Sequence, residues 1–328
     1  MKAAWFESFG GASKVIRIGV QPKPVVTKGQ VLIKLAASGV NPSDVKKRAG
    51  AFSNLLDNGL IIPNSDGAGI IEEVGYGVNK SRIGERVWVY QAQYGRRFGT
   101  SAEYVAIDAN RAILLPPSTD FTIGACLGIP AMTAHRCVYA DGDVQGRTLL
   151  ITGGAGRVGF YAIQWAVMGG ARVITTASNS TDQQLCLSLG ANAVVNHNDK
   201  DWGQQVLKIT KGKRVDRVID VEFGANLSHV LNCIDTGGVI ATYSSTQEST
   251  PSIPFLDMMY MDLTLRMIIV YAMPEKAKLL AIEAISDALG MGLLKHRVAH
   301  ILPLEQTPEA HQLIESGKVR GCVVISMG

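Results

Sequence analysis

Seven residues, Gly153-Gly154-Ala155-Gly156-Arg157-Val158-Gly159, join the apolar run Leu149-Leu150-Ile151-Thr152 to a stretch of helical pattern, Phe160-Tyr161-Ala162-Ile163-Gln164-Trp165-Ala166. Gly154, Gly156 and Gly159 satisfy G-x-G-x-x-G. Alone that spacing carries little information; between a buried strand and a helix it predicts a dinucleotide-binding turn. One glycine makes the tight turn, one lets the backbone approach a pyrophosphate, and one lets helix and strand pack closely. The helix N-terminus then presents free N–H groups to the phosphates, so Arg157 and Val158 join the three glycines as candidate contacts. The competing reading is a glycine-rich turn that holds no ligand.

Residue types at the end of the next strand separate the two nicotinamide dinucleotides. An acid about 20 residues on would take the ribose 2′-hydroxyl and repel a 2′-phosphate. Here the strand Arg172–Thr176 runs into Ala177-Ser178-Asn179-Ser180, and no acid stands before Asp182. Ser178 and Asn179 are candidate contacts, and the neutral loop tolerates the 2′-phosphate of NADPH. The loop lacks an Arg or Lys, and Asp182 counts against the 2′-phosphate of NADPH.

Other reactive side chains do not form a constellation. His135, His296, His300 and His311 show no metal-ligand spacing and read as packed or solvated. Five cysteines, Cys126, Cys137, Cys186, Cys233 and Cys322, are far apart, and none makes a C-x-x-C pair. This suggests neither a disulfide framework nor a cysteine-rich metal site, and it suits reduced thiols in the cytoplasm.

The elements that must position the glycine turn are legible around it. Residues 1–115 hold short β-like runs broken by Gly and Pro, such as Val31–Leu35, Gly69–Val74 and Arg86–Tyr90, which predict a compact barrel-like domain. From about residue 121 strands and helices alternate. Arg147–Thr152, Arg172–Thr176, Ala193–Asn196, Asp216–Asp220, Gly238–Thr242 and Leu265–Tyr271 are the expected strands. Val158–Gly169, Thr181–Leu189, Gly203–Thr210 and Leu227–Ile234 are the expected helices between them. Six strands in this alternation predict an α/β fold with a doubly wound parallel sheet of Rossmann type. A helical run from Pro274 to about Leu294, a strand (Val298–Leu302), a helix (Thr307–Ser316) and a last strand (Cys322–Ile325) follow.

The 328 residues suit two domains, and 47% hydrophobic with 18% charged residues allows a large core. A net charge of +4, with Lys46-Lys47-Arg48 as the longest basic cluster, disfavours nucleic acid as a partner. The N-terminus is not apolar enough for a signal peptide, and Leu263–Met273 contains Arg266 and is too short to span a bilayer. No membrane association is expected.

Several segments together resemble the medium-chain dehydrogenase/reductase superfamily, and within it the zinc-free quinone oxidoreductases. They are Gly39-Val40-Asn41-Pro42-Ser43-Asp44 with Arg48-Ala49-Gly50, Asp66-Gly67-Ala68-Gly69, Gly84-Glu85-Arg86-Val87 and Gly99–Tyr104. Ile129-Pro130-Ala131-Met132-Thr133-Ala134, the glycine loop, Leu189-Gly190-Ala191, Val195-Asn196-His197 and Glu315-Ser316-Gly317-Lys318 complete the likeness, which covers nearly the whole chain. It implies a GroES-like β-barrel-type substrate domain, residues 1–120 and 273–328, interrupted by a Rossmann cofactor domain at 121–272. The active site would lie in the cleft between them.

The zinc enzymes of that superfamily carry a Cys where this chain has Asn41, a His-Glu pair where it has Ser65-Asp66, and a third ligand near Ile129. Asn, Ser and Ile are poor or impossible zinc ligands, so no metal is expected. The activity implied is NADPH-dependent hydride transfer to a quinone or activated enone. A 2-enal or enoyl-thioester reductase, and a non-catalytic NADPH-binding structural or RNA-binding protein, are the alternatives. Asn41 either contacts the nicotinamide or substrate carbonyl or caps its own loop. Lys46 stands where such quinone reductases have a Tyr, and either pairs with a charged substrate or is a solvated surface residue. The resemblance adds Thr133, His197, Tyr243, Ser244 and Lys318 as cofactor contacts. It also implies a homodimer paired through the Leu265–Tyr271 edge strand.

Overall fold

Runs rich in Val, Ile and Leu, closed off by Gly and Pro, become strands in the first third of the chain because branched side chains fit a pleated, half-buried surface. In the computed structural model, which describes residues 1–328, these are β1 (Lys2–Trp5), β2 (Arg17–Val20), β3 (Gln30–Val40), β4 (Asp66–Val74), β5 (Arg86–Val89), β6 (Tyr104–Asp108) and β7 (Ala112–Leu114). Three helices accompany them: α1 (Ala12–Val15), α2 (Pro42–Arg48) and α3 (Phe121–Gly124).

The alternating segment follows with α4 (Met132–Tyr139), β8 (Thr148–Ile151), α5 (Arg157–Met168), β9 (Arg172–Thr176), α6 (Ser180–Ser188), β10 (Ala193–Val195), α7 (Trp202–Ile209), β11 (Val215–Asp220), α8 (Phe223–Cys233), β12 (Ile234–Thr242), α9 (Phe255–Tyr260) and β13 (Thr264–Met267). The chain ends with α10 (Glu275–Gly290), β14 (Val298–Pro303), α11 (Thr307–Glu315) and β15 (Cys322–Ser326).

Two units result, one of residues 1–129 with 282–328, the other of residues 130–281. In the discontinuous unit a seven-stranded sheet runs β14-β15-β3-β4-β5-β7, with β6 also paired to β3. The long β3 is its hub, antiparallel to β15, β4 and β6. Val31, Ile33, Leu35, Ile71, Val87, Val89, Val105 and Ile107 fill one core of this unit.

In the continuous unit six strands lie in the order β10-β9-β8-β11-β12-β13, all parallel. This is the doubly wound order, with its switch point beside β8. Leu150, Ile174, Val218 and Ile240 from the sheet pack with Trp202, Val206, Phe223, Leu227 and Val230 from α7 and α8.

Two elements depart from expectation. The edge strand expected over Leu265–Tyr271 stops at Met267. Ile268 N–H still reaches Thr242 O at 2.8 Å, but the chain then coils through Val270–Ala272, burying Val270 and Tyr271 on its way to α10. The second is α2, which sequence patterning missed. Its start is nonetheless signalled: Asn41 is the N-cap, Pro42 opens the helix, and the Asp44 side chain accepts from the Asn41 N–H at 2.9 Å.

The end of β3 approaches other backbone closely. A Cβ on Gly39 would lie 2.0 Å from the Ala125 carbonyl oxygen, whereas one on Gly11 would meet nothing within 4 Å. Gly39→Ala should therefore destabilise the chain by about 1–3 kcal/mol, and Gly11→Ala should stay within about 0.5 kcal/mol of the parent. Urea unfolding midpoints of the two variants check this.

Candidate functional site

The turn after β8 is built by close packing. Thr152 N–H bonds Ile219 O, Gly153 N–H bonds the Thr176 hydroxyl at 2.9 Å, and Gly154 N–H bonds Thr176 O at 3.0 Å. Gly153, one residue before the three-glycine motif, makes the tight turn, with φ at +64°. A Cβ on Gly154 would strike Thr175 Oγ1 at 2.1 Å, and one on Gly159 would strike Gly153 O at 2.3 Å. These two positions serve packing. Gly156 differs: a Cβ there would meet only Gly153 O, at 3.1 Å. As N-cap of α5 it offers no side-chain oxygen to the first-turn N–H groups, which suits an anion.

Strand ends on the same edge of this sheet carry most of the other candidates. Ser178 and Asn179 follow β9, His197 follows β10, and Tyr243 and Ser244 follow β12. Thr133 lies buried on α4. Asn179 is the N-cap of α6: its Oδ1 accepts from Asp182 N at 2.9 Å and its Nδ2 donates to Asp182 Oδ2 at 2.8 Å. The acid expected to oppose a 2′-phosphate is thus buried and turned into the helix cap, and the Asn179 amide is engaged there as well. Ser178 is left half-buried in a turn that presents no carboxylate.

Asp220, at the end of β11, was not among the expected site residues. Its Oδ1 accepts from Thr152 Oγ1 at 2.7 Å and Asn226 Nδ2 at 2.8 Å, while its buried Oδ2 has no hydrogen-bond partner. Burial raises its pKa from the ordinary carboxylate value. Burial also pushes the neighbouring Tyr243 phenol well up, with Asp220 adding and Arg157 opposing. Position at the end of a central parallel strand is the signal that could have singled out Asp220. His135 is packed edge-on to Trp165 at 5.4 Å, and burial lowers its pKa to about 4.

The discontinuous unit carries Asn41, Lys46 and Lys318. Lys318 is exposed on the turn after α11. The basic cluster Lys46-Lys47-Arg48 divides: Lys46 is exposed, whereas Lys47 and Arg48 are buried. Arg48 donates to Gly10 O and to Glu315 Oε1. Lys47, which sequence reading passed over, donates to Gln93 O at 2.7 Å. Asn41 is 3% exposed, and its Nδ2 donates to Asp66 Oδ2 at 2.9 Å. Its side chain therefore crosses to β4. The Ile129 N–H joins the same oxygen at 2.8 Å.

Burial raises the Asp66 pKa to about 8, with Asp44 adding and the two N–H donors and Lys47 opposing. Asp44 is raised to about 6 by burial, against the pull of Lys47. Behind Asp66 runs a buried chain. Thr100 Oγ1 donates to Asp66 O at 2.7 Å and lies 2.8 Å from Ser38 Oγ, to which Asn64 Nδ2 donates at 3.0 Å. His311 Nε2 meets Asn64 Oδ1 at 3.1 Å. With burial lowering His311 to about 3, the ring is neutral and its proton sits on Nε2, facing that acceptor.

Two family profiles match the chain: "Alcohol dehydrogenase GroES-like domain" over residues 27–117 and "Zinc-binding dehydrogenase" over residues 158–287. Human quinone oxidoreductase is 30% identical over 320 residues, covering 97% of this chain and 94% of the relative. The chain belongs to the quinone oxidoreductase family of the medium-chain dehydrogenases/reductases. Among solved structures, one titled an NAD-dependent alcohol dehydrogenase superposes with a TM-score of 0.87 at 28% identity over 100% of both chains. A mycobacterial protein complexed with NADPH superposes with a TM-score of 0.88 at 26% identity, over 99% of this chain and 100% of the other.

The zinc in the second profile's description does not fit the residues present. Asp66 is the one carboxylate among Asn41, Ser65, Asp66 and Ile129, and two N–H donors already occupy its Oδ2. Its Oδ1 is pressed against Gly128, where a Cβ would come within 2.1 Å. No group of three or more His, Cys, Asp or Glu side chains could hold a metal ion. The glycine loop does fit a dinucleotide, because Gly156, the least crowded of the three motif glycines, sits at an N-terminus that has no side-chain cap.

Gly156→Ala should leave the unfolding midpoint near the parent's yet weaken NADPH binding at least about tenfold, or about 1.4 kcal/mol. Gly159→Ala should instead lower stability by about 1–3 kcal/mol. Calorimetric titration with NADPH and urea unfolding on both variants separate the two roles.

Proposed function

We propose that this chain is an NADPH:quinone oxidoreductase that reduces a quinone or a related activated carbonyl without zinc. The observation that carries the choice of cofactor is the turn after β9, whose nearest acid is folded into the α6 cap. A 2′-phosphate meets no carboxylate there, and Ser178 offers a hydroxyl. NADPH supplies the hydride when bound. The chain's contribution is binding and orientation: Gly156, Arg157 and Val158 at the α5 N-terminus hold the pyrophosphate, with Thr133, His197, Tyr243, Ser244 and Lys318 as further contacts.

Residues 130–281 are the cofactor unit in this reading. A quinone is already electrophilic, so holding it in line with the nicotinamide supplies much of the acceleration. Asn41 is the group assigned to the nicotinamide or the substrate carbonyl. Lys46, exposed on α2, is the group assigned to a charged substituent on the substrate.

Two copies are proposed to pair through β13. Met267 and Ile269 at that edge, with Phe255 and Tyr260 on α9, are exposed apolar side chains, and an uncovered apolar strand edge is a liability. No helix is long and apolar enough to cross a membrane. The five cysteines are free, which suits the cytoplasm.

Loss of reduced-nicotinamide absorbance, followed with NADPH or NADH and a benzoquinone, a polycyclic ortho-quinone and a 2-enal, tests the activity. Fast oxidation of NADPH by the quinones is expected, with KM at least about tenfold below that for NADH. No turnover despite NADPH binding would overturn the reading. Sedimentation at micromolar concentration should show a dimer, and Met267→Glu should shift it toward monomer; a parent monomer would reject the β13 interface.

A further inference from the structure

We propose that Lys47 is a positioning residue: with Asp44 and Asp66 it forms a sealed set that holds one exchangeable proton on Asp66 and thereby governs the Asn41 amide. The role assigned to Asn41 rests on the proposed function; the protonation of the set does not.

Charge counting under burial carries the inference. Asp44 is 1% exposed, Asp66 0% and Lys47 6%. One ammonium and two carboxylates would leave an uncompensated charge away from water, which is costly. One proton restores neutrality. Lys47 stands three residues after Asp44 on α2 and is drawn more strongly by Asp44 than by Asp66, so those two charges offset each other and Asp66 holds the proton. The hydrogen bonds agree on the atom: Oδ2 accepts from both Asn41 Nδ2 and Ile129 N, whereas Oδ1 has no acceptor role and lies buried. The proton therefore sits on Oδ1.

Charged and titratable groups surround Asp66 on several elements, and Tyr90, after β5, packs on the same Gly128 that Oδ1 meets. Helix α2 contributes Asp44 and Lys47, since Lys46 is exposed and Arg48 turns to Gly10 and Glu315. The segment before β4 adds the neutral Ser65, and residues 91–93 add neutral Gln91 and Gln93. The segment before Ile129 adds the Cys126 thiol, whose own ionisation a hydrogen bond with Cys322 and then burial push well up.

Loss of the Oδ1 proton leaves a net negative charge beside Asn41. That charge tightens the Asn41 bond, because hydrogen bonds to an ionised acceptor are stronger. It also opposes the negative charge that a quinone oxygen gains as hydride arrives. Turnover should therefore fall as pH rises through about 8. Removing the Lys47 charge raises the pKa of a neighbouring carboxyl, so Lys47→Met should move this limb up by about 1–3 pH units. Lys47→Arg should keep it in place, and Asp66→Asn should abolish it.

Stability carries the same proton. The folded pKa of Asp66 is raised from 3.8 to about 8, so the folded chain binds one more proton than the unfolded chain between those values. Its contribution is full below the lower value and is lost as pH rises through the upper one, with the unfolding constant rising about tenfold per pH unit in between. Asp66→Asn should remove that share of the slope.

The deciding experiment is an infrared pH titration of the purified full chain, parent and Asp66→Asn, alongside the pH profiles of kcat/KM. A protonated-carboxyl C=O band at neutral pH that fades near pH 8 and is absent from Asp66→Asn is the expected result. Absence of any band removed by Asp66→Asn overturns the proposal, as does an unchanged alkaline limb in that variant. If no quinone is reduced at all, the functional reading fails while the infrared titration and the stability slope still decide the proton. If Lys47→Met does not fold, Lys47→Arg and Asp66→Asn decide the matter without it.

Discussion

Two N–H groups from distant parts of the chain converge on Asp66 Oδ2, one from the Asn41 side chain and one from the Ile129 backbone. A carboxyl group with no access to water must be met by donors or it destabilises the fold. Meeting that requirement ties the end of β3 and the start of α2 to β4, and ties both to the segment that leads into the other unit. The backbone of Asp66 is held from the opposite side by the chain of Thr100, Ser38, Asn64 and His311. Asn64 adopts φ of +72°, a left-handed backbone that asparagine tolerates better than most residues. Asn41 is thus fixed through its partner, and the positioning of the group assigned to the nicotinamide or the substrate carbonyl depends on a buried network.

The nucleotide-binding unit works by a different physical means. Its turn depends on the absence of side chains at Gly154 and Gly159, where Thr175 Oγ1 and Gly153 O already occupy the space a Cβ would take. Contact at those positions brings α5 against β8 and points its N-terminus outward. At the neighbouring strand ends, polar side chains divide between structure and ligand. Thr152, Asn226 and Asp220 satisfy one another apart from Asp220 Oδ2. Asn179 and Asp182 are absorbed in a helix cap, and that absorption is what leaves the turn neutral.

Much of the architecture was legible in the chain. The apolar runs placed the parallel strands to within a few residues, because the central strands β8, β9 and β11 are buried along most of their length. The edge strand was overextended, since Ile268–Tyr271 has the composition of a strand but is spent on a buried turn. In the glycine loop the location was correct, while the residue making the turn was Gly153. The candidate basic side chain was Lys46, yet it is Lys47 that enters the interior. Adjacent residues on a helix face about 100° apart, and a run of three bases does not reveal which one the neighbouring elements cover.

The sequence by itself determined the glycine turn, the strand–helix alternation and the lack of a zinc-ligand set, because each depends on residue types within a short stretch of chain. Only the tertiary structure decided which polar groups meet. Asn41 and Asp66 are 25 residues apart, Lys47 and Gln93 are 46 apart, and Thr152 and Asp220 are 68 apart. Their chemistry follows from shared burial, and burial is a property of the assembled unit. A carboxyl that water would solvate is met instead by N–H donors because β3, β4, α2 and the Ile129 segment close around it together.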